Sequence, residues 1–279
     1  MQNKGIMSAT IAIAIGILML YYNQDIKIIS ARDIPATSSV EINDLSNGSS
    51  IFEKSGDKEL IIAEKKRLIT KVEQSATDQD ITFTIHDVYY NDNQIFLAYS
   101  IQSKTDHLLE GPYPFGGDSI LINGKRLNSG GKRWFTKVSN DKYVGVYDIN
   151  PITDLPDQFR LEMVFPRIFN QEGNWSFDFN VKETVGNKIP VFDKSKSYKE
   201  STLALKSMKL NPAGTAVSFD LTQNINESEL DSFNLLTDDG KALNVLDFAG
   251  FSLPEDIKGN KETIHYVSRF SEVKENTHI

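Results

Sequence analysis

The hydrophobic pattern of this chain begins with one long apolar stretch. From Gly5 to Tyr22 the sequence is GIMSATIAIAIGILMLYY, which contains no charged residue. As a helix rising about 1.5 Å per residue, this stretch measures roughly 27 Å, close to the roughly 30 Å of a bilayer's hydrocarbon core. A helix buried in a soluble core is rarely apolar on every face. The pattern therefore predicts a transmembrane helix at residues 5–22, with a cytoplasmic stub at residues 1–4.

A cleavable signal peptide is the nearest alternative, because Lys4 precedes the apolar stretch. The residues after Tyr22 are NQDIKIISARD, which lack a pair of small residues at the boundary. An uncleaved anchor is the favoured interpretation. Charge does not settle its orientation, since Lys4 and the amino terminus stand opposite Lys27 and Arg32.

Residues 23–65 predict a linker that contains a short helix. Residues 23–55 are rich in Ser, Asn, Asp and Thr and have no sustained periodicity, which is typical of a spacer. Lys58 to Leu68 (KELIIAEKKRL) places Leu60, Ile61 and Leu68 on one side of about three helical turns. We expect this helix to pack at the entry to the first folded domain.

Beyond Val72 the hydrophobic period changes to two. Ile81, Phe83 and Ile85 alternate with polar residues, and a second alternating run begins at Ile95, beyond the turn signal Asn91-Asp92-Asn93. This pattern predicts a β-hairpin with one buried face. Further short strands are predicted at residues 119–122, 143–149, 159–164 and 175–181, a spacing typical of a β-sandwich.

An internal repeat suggests two related domains. Residues 81–101 align with residues 201–221 without a gap, and Phe83, Ile85 and Tyr99 fall on apolar residues. Two unrelated hairpins could match by pattern alone, but the agreement in order and spacing favours tandem domains. We predict an all-β chain with β-sandwich domains at residues 66–187 and 188–279. The second is expected to lack closing strands, either as a smaller variant or with an open sheet edge.

Composition excludes several classes of function. The net charge of −8 disfavours nucleic acid as a partner. The chain has no cysteine, which excludes disulfides, thiolate nucleophiles and thiolate zinc sites.

The candidate chemical groups form no recognised motif. His86, His107, His265 and His278 lack the spacing of metal ligands. The acidic residues Asp78, Asp80, Asp87 and Asp92 flank turns and strands, where Asp is common. Gly116-Gly117 and Gly130-Gly131 are interpreted as loop glycines, since no Lys-Ser or Lys-Thr follows them. We therefore assign no catalytic, cofactor-binding or metal-binding residue, expect no cofactor, and predict that the chain is not an enzyme.

Four aromatic residues lie in segments rich in Gly and Lys: Tyr113, Phe115, Trp134 and Phe135. They either form an exposed recognition patch or plug the ends of the sandwich, and the second interpretation is favoured.

Several short motifs carry a resemblance to a known family. They are Ser50-Ile51-Phe52, Val72 to Asp78, Ile81 to Ile85, Val88-Tyr89-Tyr90, Leu97 to Ile101, Tyr143 to Val146, Leu155-Pro156-Asp157 and Gly173 to Phe177. The chain resembles the extracytoplasmic domain of unknown function in membrane-bound anti-sigma-factor-like proteins of Gram-positive bacteria. From about Phe192 it is similar to the second uncharacterised domain that usually follows. The resemblance implies tandem immunoglobulin-like sandwiches outside the cell, behind one transmembrane helix whose amino end is inside.

The leading functional hypothesis is a single-pass cell-membrane protein whose bulk is extracellular and which acts in binding or sensing. Its expected partners are the membrane, through residues 5–22, and a protein of the cell envelope. The alternative is the outer arm of an anti-sigma-type regulator, although Met1 to Lys4 leave no room for a sigma-binding segment. A third hypothesis is a surface hydrolase using Asp residues near the loop at 110–118.

Overall fold

The structure is a computed structural model that describes residues 9–14, 17–21, 50–91, 94–104, 111, 113–151, 155–184, 187–189, 194–227, 230, 232–237 and 240–272. It divides into two compact units. The first unit is Glu41–Val185, and the second combines Met1–Val40 with Gly186–Ile279. The predicted all-β class is confirmed, because most of the described residues lie in strands that pair largely in antiparallel sheets. The domain limits at residues 66–187 and 188–279 stay a prediction.

The helices are α1 (Ile51–Ser55) and α2 (Lys58–Lys65). The amino-terminal strands are β1 (Ala9–Ala14) and β2 (Ile17–Tyr21). The next nine are β3 (Thr70–Asp78), β4 (Ile81–Asn91), β5 (Gln94–Ser103), β6 (Ser119–Ile122), β7 (Lys125–Arg126), β8 (Ser129–Ser139), β9 (Lys142–Pro151), β10 (Gln158–Ile168) and β11 (Gln171–Lys182). The last eight are β12 (Asn187–Ile189), β13 (Lys194–Tyr198), β14 (Ser201–Asn211), β15 (Gly214–Asn224), β16 (Phe233–Leu236), β17 (Val245–Phe251), β18 (Ile257–Lys258) and β19 (Lys261–Phe270).

The first unit is a sandwich-like pair of sheets. One sheet has the order β3-β4-β5-β9-β8 and the other the order β11-β10-β6-β7. Alternation on β4 turns Ile81, Phe83 and Ile85 towards the opposite sheet, where they share a core with Phe165 and Trp175. The Trp175 indole N–H donates to the Ile81 carbonyl at 2.8 Å, so the largest buried side chain also has its polar atom satisfied.

The two helices cover the outer face of the five-stranded sheet. The Ser50 hydroxyl accepts from the Glu53 N–H at 3.0 Å and caps α1, which ends at Gly56 with a φ of 72°. Helix α1 lies against β5 and β9, and the side chains of Phe52, Leu60 and Ala63 are buried. The predicted Lys58–Leu68 helix thus forms as α2, which is three residues shorter because the chain turns left-handed at Arg67.

The second unit repeats the order of the first unit's larger sheet. Its sheet has the order β12-β14-β15-β19-β17, and β13 and β18 pair with β14 and β19. The two copies of the sequence repeat are 120 residues apart, and each contains a β-bulge at the same place. The bulge lies between Ile85 and Asp87 in β4 and between Leu205 and Ser207 in β14. A separate core lies on this sheet, with Phe219, Phe233 and Phe270 at its centre.

The apolar stretch at residues 5–22 is described only at residues 9–14 and 17–21, and these are strands. β1 and β2 form an antiparallel hairpin, and β1 pairs in parallel with β16. The predicted transmembrane helix is therefore not confirmed. The β-branched residues Thr10, Ile11 and Ile13 favour a strand wherever a neighbouring edge can bond the backbone, and β16 supplies that edge. Among the described residues, neither helix has the length and apolar character needed to span a bilayer.

Candidate functional site

The acidic residues singled out in the sequence are separated by the structure. Asp78 accepts from the backbone N–H of Asn174 at 2.8 Å, which ties the β3–β4 turn to β11. Asp80 pairs with Lys104, and Asp87 pairs with Lys71 at 2.7 Å. The hydrogen bond from Lys71 to Asp87 is the main reason why the pKa of Lys71 lies above its usual value. Asp92 lies outside the described residues, and the other three each have a different structural partner.

The histidines have equally local roles where they are described. His86 lies between Glu73, at 3.1 Å from Nδ1, and Ser100, at 2.9 Å from Nε2. His107 and His278 lie outside the described residues. Within the described part of the chain, His and acidic residues form no group of three or more that could hold a metal ion.

The two glycine pairs differ in their structural setting. Gly116-Gly117 lies in a loop, as interpreted, and Gly117 has a φ of 70°. The interpretation of Gly130-Gly131 as loop glycines is wrong, because both lie in β8. A Cβ on Gly131 would lie 2.4 Å from the Asp148 carbonyl oxygen, so the close approach of β9 requires glycine there.

The four aromatic residues also divide. Phe115 is buried in the first core, and Phe135 packs against that core, as expected for plugs of the sandwich. Trp134 and Phe135 are not in a loop but in β8. Tyr113 is 68% exposed and lies in the loop before β6, so only this residue of the four fits the recognition interpretation well.

A polar cluster joins this loop to β8 and β9. Arg133 on β8 donates from Nη2 to Asp118 at 2.8 Å and to the Tyr147 hydroxyl at 3.1 Å. Tyr147 in turn donates to the second Asp118 oxygen at 2.6 Å. The guanidinium carbon also lies 4.9 Å from the Phe115 ring centre and 4.5 Å from that of Tyr147, within the range of cation–π contacts.

This cluster is suited to rigidity. Burial, and then the hydrogen bond to Asp118, raise the pKa of Tyr147 well above its usual value, so its hydroxyl keeps its proton at neutral pH. Asp118 is held by an ion pair and a short hydrogen bond, and is therefore poorly placed to act as a free base. The arrangement fixes the loop at 113–118 onto β8.

The same loop carries the exposed Tyr113 and lies against the exposed Arg167 of β10. We define the loop surface as Tyr113, Gly116, Gly117 and Arg167. The position of a Cβ on Gly116 lies 3.2 Å from the Arg167 guanidinium, so that exposed cation lies beside the glycines. An exposed tyrosine on a loop held by a part-buried network, with an arginine against the glycines of the same loop, has the composition of a protein-binding hot spot. The sequence indicated the aromatic residue, but Arg167 comes from β10 and carried no local signal.

In the second unit, His265 forms a separate cluster that sequence reasoning missed. Its Nδ1 lies 2.8 Å from Asp220 and its Nε2 lies 3.2 Å from Asp256, while Lys206 pairs with Asp220 at 2.9 Å. Burial lowers the pKa of His265, but the hydrogen bonds and charges of Asp220 and Asp256 outweigh this effect and leave the pKa above its usual value. The His265 ring joins β15 to the short turn at Pro254–Asp256.

Comparison with known proteins finds one family model, of unknown function, that matches part of the chain. Residues 2–103 match the family model described as domain of unknown function DUF4179. The DUF4179 match thus extends from the amino-terminal apolar stretch to the end of β5. No curated protein matches the chain.

One solved structure is similar in fold. It is titled "The crystal structure of the conserved domain protein from Bacillus anthracis", and it aligns with a TM-score of 0.57 at 18% sequence identity. The alignment covers 82% of this chain and 78% of that one. At this level of identity the likeness concerns the fold alone.

Proposed function

We propose that this chain is a membrane-anchored, non-enzymatic binding or sensing protein with two immunoglobulin-like sandwich domains outside the cell. The observation that carries the proposal is the uncharged stretch from Gly5 to Tyr22, followed by a polar spacer and a strand-rich chain. The proposed domains are residues 66–187 and 188–279, and the proposed partners are the membrane and a protein of the cell envelope.

We propose that the apolar stretch is a strand in water and a helix in a bilayer. In water, an apolar strand can satisfy its backbone by pairing with β16, as β1 does. In the hydrocarbon core no partner strand is present, and each unsatisfied backbone group costs several kcal/mol, which favours a helix that bonds within itself. We therefore propose a helix at residues 5–22 whenever the protein is in a bilayer.

The proposed binding site is the loop surface. Tyr113 offers an exposed ring, and Arg167 offers a cation able to form paired hydrogen bonds with a carboxylate. The Arg133–Asp118–Tyr147 network holds the loop in place, which lowers the entropy lost on binding. We propose an envelope protein with an acidic, partly apolar surface as the partner.

A second candidate is the outer arm of an anti-sigma-type regulator. Its support is the resemblance carried by the sequence motifs, and the DUF4179 match runs without a break from the apolar stretch into the first unit. Reading the coding frame upstream of Met1 tests this candidate: an in-frame helical segment supports it, and a stop codon directly upstream contradicts it.

Anchoring is tested by cell fractionation. The full chain should remain in the membrane pellet after alkaline washing, and Ile13→Asp should release it, because an acidic residue at a helix centre costs about 3 kcal/mol on insertion scales. Ile13→Ala is the matched control and should stay in the pellet. Because the chain has no cysteine, Tyr113→Cys also reports orientation: a membrane-impermeant maleimide should label it on intact cells. Release of the parent chain into the wash, or labelling only after lysis, contradicts the proposal.

Binding is tested by in-cell crosslinking followed by identification of the adduct. Tyr113→Ala and Arg167→Ala should each weaken capture of the partner by roughly tenfold or more, as for hot-spot residues. Tyr198→Ala, which removes an exposed tyrosine of the second unit, should leave capture unchanged. Equal capture by all three variants places the binding site elsewhere.

A further inference from the structure

The strands β6 and β16 occupy equivalent places in the two units. β6 is followed by a tight turn at Gly124 with a φ of 77°, and β16 by one at Gly240 with a φ of 80°. After each turn the chain bonds back in the same way. The Leu127 N–H donates to the Ile120 carbonyl at 2.8 Å, and the Leu243 N–H donates to the Leu235 carbonyl at 2.9 Å. Leu235 therefore corresponds to Ile120.

Their neighbouring strands differ. β6 pairs with β10 in antiparallel fashion, with Ile122 opposite Leu161 and Ile120 opposite Met163. The apolar side chains of β10 and β11 then fill the first core. β16 instead pairs with β1, and the two strands are parallel.

β16 carries part of the second core on its inner face. Phe233 and Leu235 are fully buried, and the Phe233 ring stacks on Phe219 at 4.4 Å between centres. An unpaired β16 would therefore place unbonded backbone groups directly beside an apolar core. Such an edge readily accepts another strand.

This edge becomes available if residues 5–22 enter a bilayer, so the following inference rests on the proposed function. We infer that the outer edge of β16 is a strand-acceptor site, which in the anchored protein binds an extended, alternately apolar segment of a partner protein. The geometry of β10 on β6 specifies an antiparallel segment that pairs along the four residues of β16. Its inward positions carry large apolar side chains, as Leu161 and Met163 do in the first unit.

The probe for this site is a synthetic peptide with the sequence of β10, QFRLEMVFPRI. The control peptide has the same residues in an order without alternation. With the full chain in phospholipid nanodiscs, fluorescence anisotropy should show the β10 peptide binding at least about tenfold more tightly than the control. Equal affinities overturn the inference.

Disulfide trapping locates the bound peptide. By the Leu235–Ile120 correspondence, Asn234 matches Ser119, which lies opposite Val164 of β10. A peptide with cysteine at the Val164 position should crosslink to Asn234→Cys in nanodiscs, and a peptide with cysteine at the inward Met163 position should not. Equal crosslinking by both peptides overturns the antiparallel register.

One further variant separates the two proposals. Thr10 lies opposite Asn234 in the β1–β16 pair, so the double variant Thr10→Cys, Asn234→Cys reports on that pairing. If both cysteines stay as free thiols in nanodiscs and the β10 peptide does not bind, the acceptor site is overturned but the anchored helix is not. A disulfide within the chain in nanodiscs means that β1 still occupies the edge, and this overturns both the anchored helix and the acceptor site.

Discussion

At the scale of single residues, two neighbouring tyrosines of the first core have opposite environments. Tyr99 on β5 is buried, and its hydroxyl has no hydrogen-bond partner among the described residues. Its burial raises the pKa of Tyr99 far above its usual value. Tyr147 on β9 is buried too, but its hydroxyl bonds both Arg133 and Asp118. The Tyr147 hydroxyl therefore stabilises the fold, whereas the Tyr99 hydroxyl destabilises it.

Removing each hydroxyl tests this contrast. Tyr99→Phe should leave the free energy of unfolding unchanged or raise it by about 1 kcal/mol, because a buried, unsatisfied group is lost. Tyr147→Phe should lower it by about 2 kcal/mol, because bonds to two charged groups are lost. Urea unfolding monitored by tryptophan fluorescence measures the free energy of unfolding of both variants. Equal losses from the two variants contradict the assignment.

The His265 cluster gives a pH dependence with a definite sign. Because the pKa of His265 is raised in the folded state, its contribution is fully present below the ordinary histidine pKa of about 6.5 and is lost as pH rises through the folded value. Asp220 and Asp256 contact its ring, Lys206 pairs with Asp220, and Lys258 lies within electrostatic reach of Asp256. Amides of the turn near Leu253–Ile257 should therefore exchange more readily, after correction for intrinsic rates, at about pH 8 than at about pH 5.

The magnitude of this effect should be small. His265 is about one-third exposed, so solvent screens its ion pairs, and about 0.5 kcal/mol is the expected change. His265→Gln should abolish the pH dependence, whereas His86→Gln, in the first unit, should leave it intact. An unchanged profile in His265→Gln assigns the effect to another group.

At the scale of elements, one glutamine joins the two sheets of the first unit. The Gln74 side-chain amide on β3 donates to the Asp178 carbonyl at 2.9 Å and accepts from the Asp178 N–H at 3.4 Å. These two bonds replace a step of backbone pairing between β3 and β11. The edge of β11 is thereby protected where the two sheets meet.

Shortening the Gln74 side chain should weaken the protection of the β11 edge. Gln74→Ala should speed hydrogen exchange at the Asp178 amide by roughly fivefold, corresponding to about 1 kcal/mol for one lost hydrogen bond. Gln102→Ala is the matched control, since it removes an exposed amide of the same sheet whose bond is to Asp141 and not to the other sheet. Unchanged exchange in Gln74→Ala means that the Asp178 N–H is protected in another way.

At the scale of the whole molecule, each unit has its own core. Both tryptophans, Trp134 and Trp175, belong to the first unit. Tryptophan fluorescence therefore reports the first core, while far-UV circular dichroism reports the strands of both units. The two methods together can separate the unfolding of the two cores.

Core substitutions should reveal this separation. Phe219→Ala should destabilise the second core by about 3–4 kcal/mol and shift part of the circular dichroism transition, but not the fluorescence transition. Phe165→Ala should shift the fluorescence transition. If Phe219→Ala shifts both transitions equally, the cores unfold as one cooperative unit.

The sequence predicted much of the first unit. The limits of β6 match the prediction residue for residue, and the hairpin of β4 and β5 follows the alternation of Ile81, Phe83 and Ile85. These segments have one buried face, so their period of two is directly visible. β8 was missed because Gly130, Gly131 and Lys132 hide its alternation. α1 was missed although Ser50, Glu53 and Gly56 carry readable capping signals.

The sequence by itself determined the β class, the repeat at an offset of 120 and the uncharged stretch at residues 5–22, because these are local patterns of hydrophobicity. Only the tertiary structure decided the rest. Arg133 meets Asp118, Arg167 meets Gly116, and His265 meets Asp220 of β15 and Asp256 of the turn before β18. Such contacts depend on strand register, sheet order and the placement of turns such as Pro254–Asp256, which arise from packing across the whole core. The tertiary structure also decided the pairing of β1 with β16, because an apolar segment adopts the conformation that the available backbone partners allow.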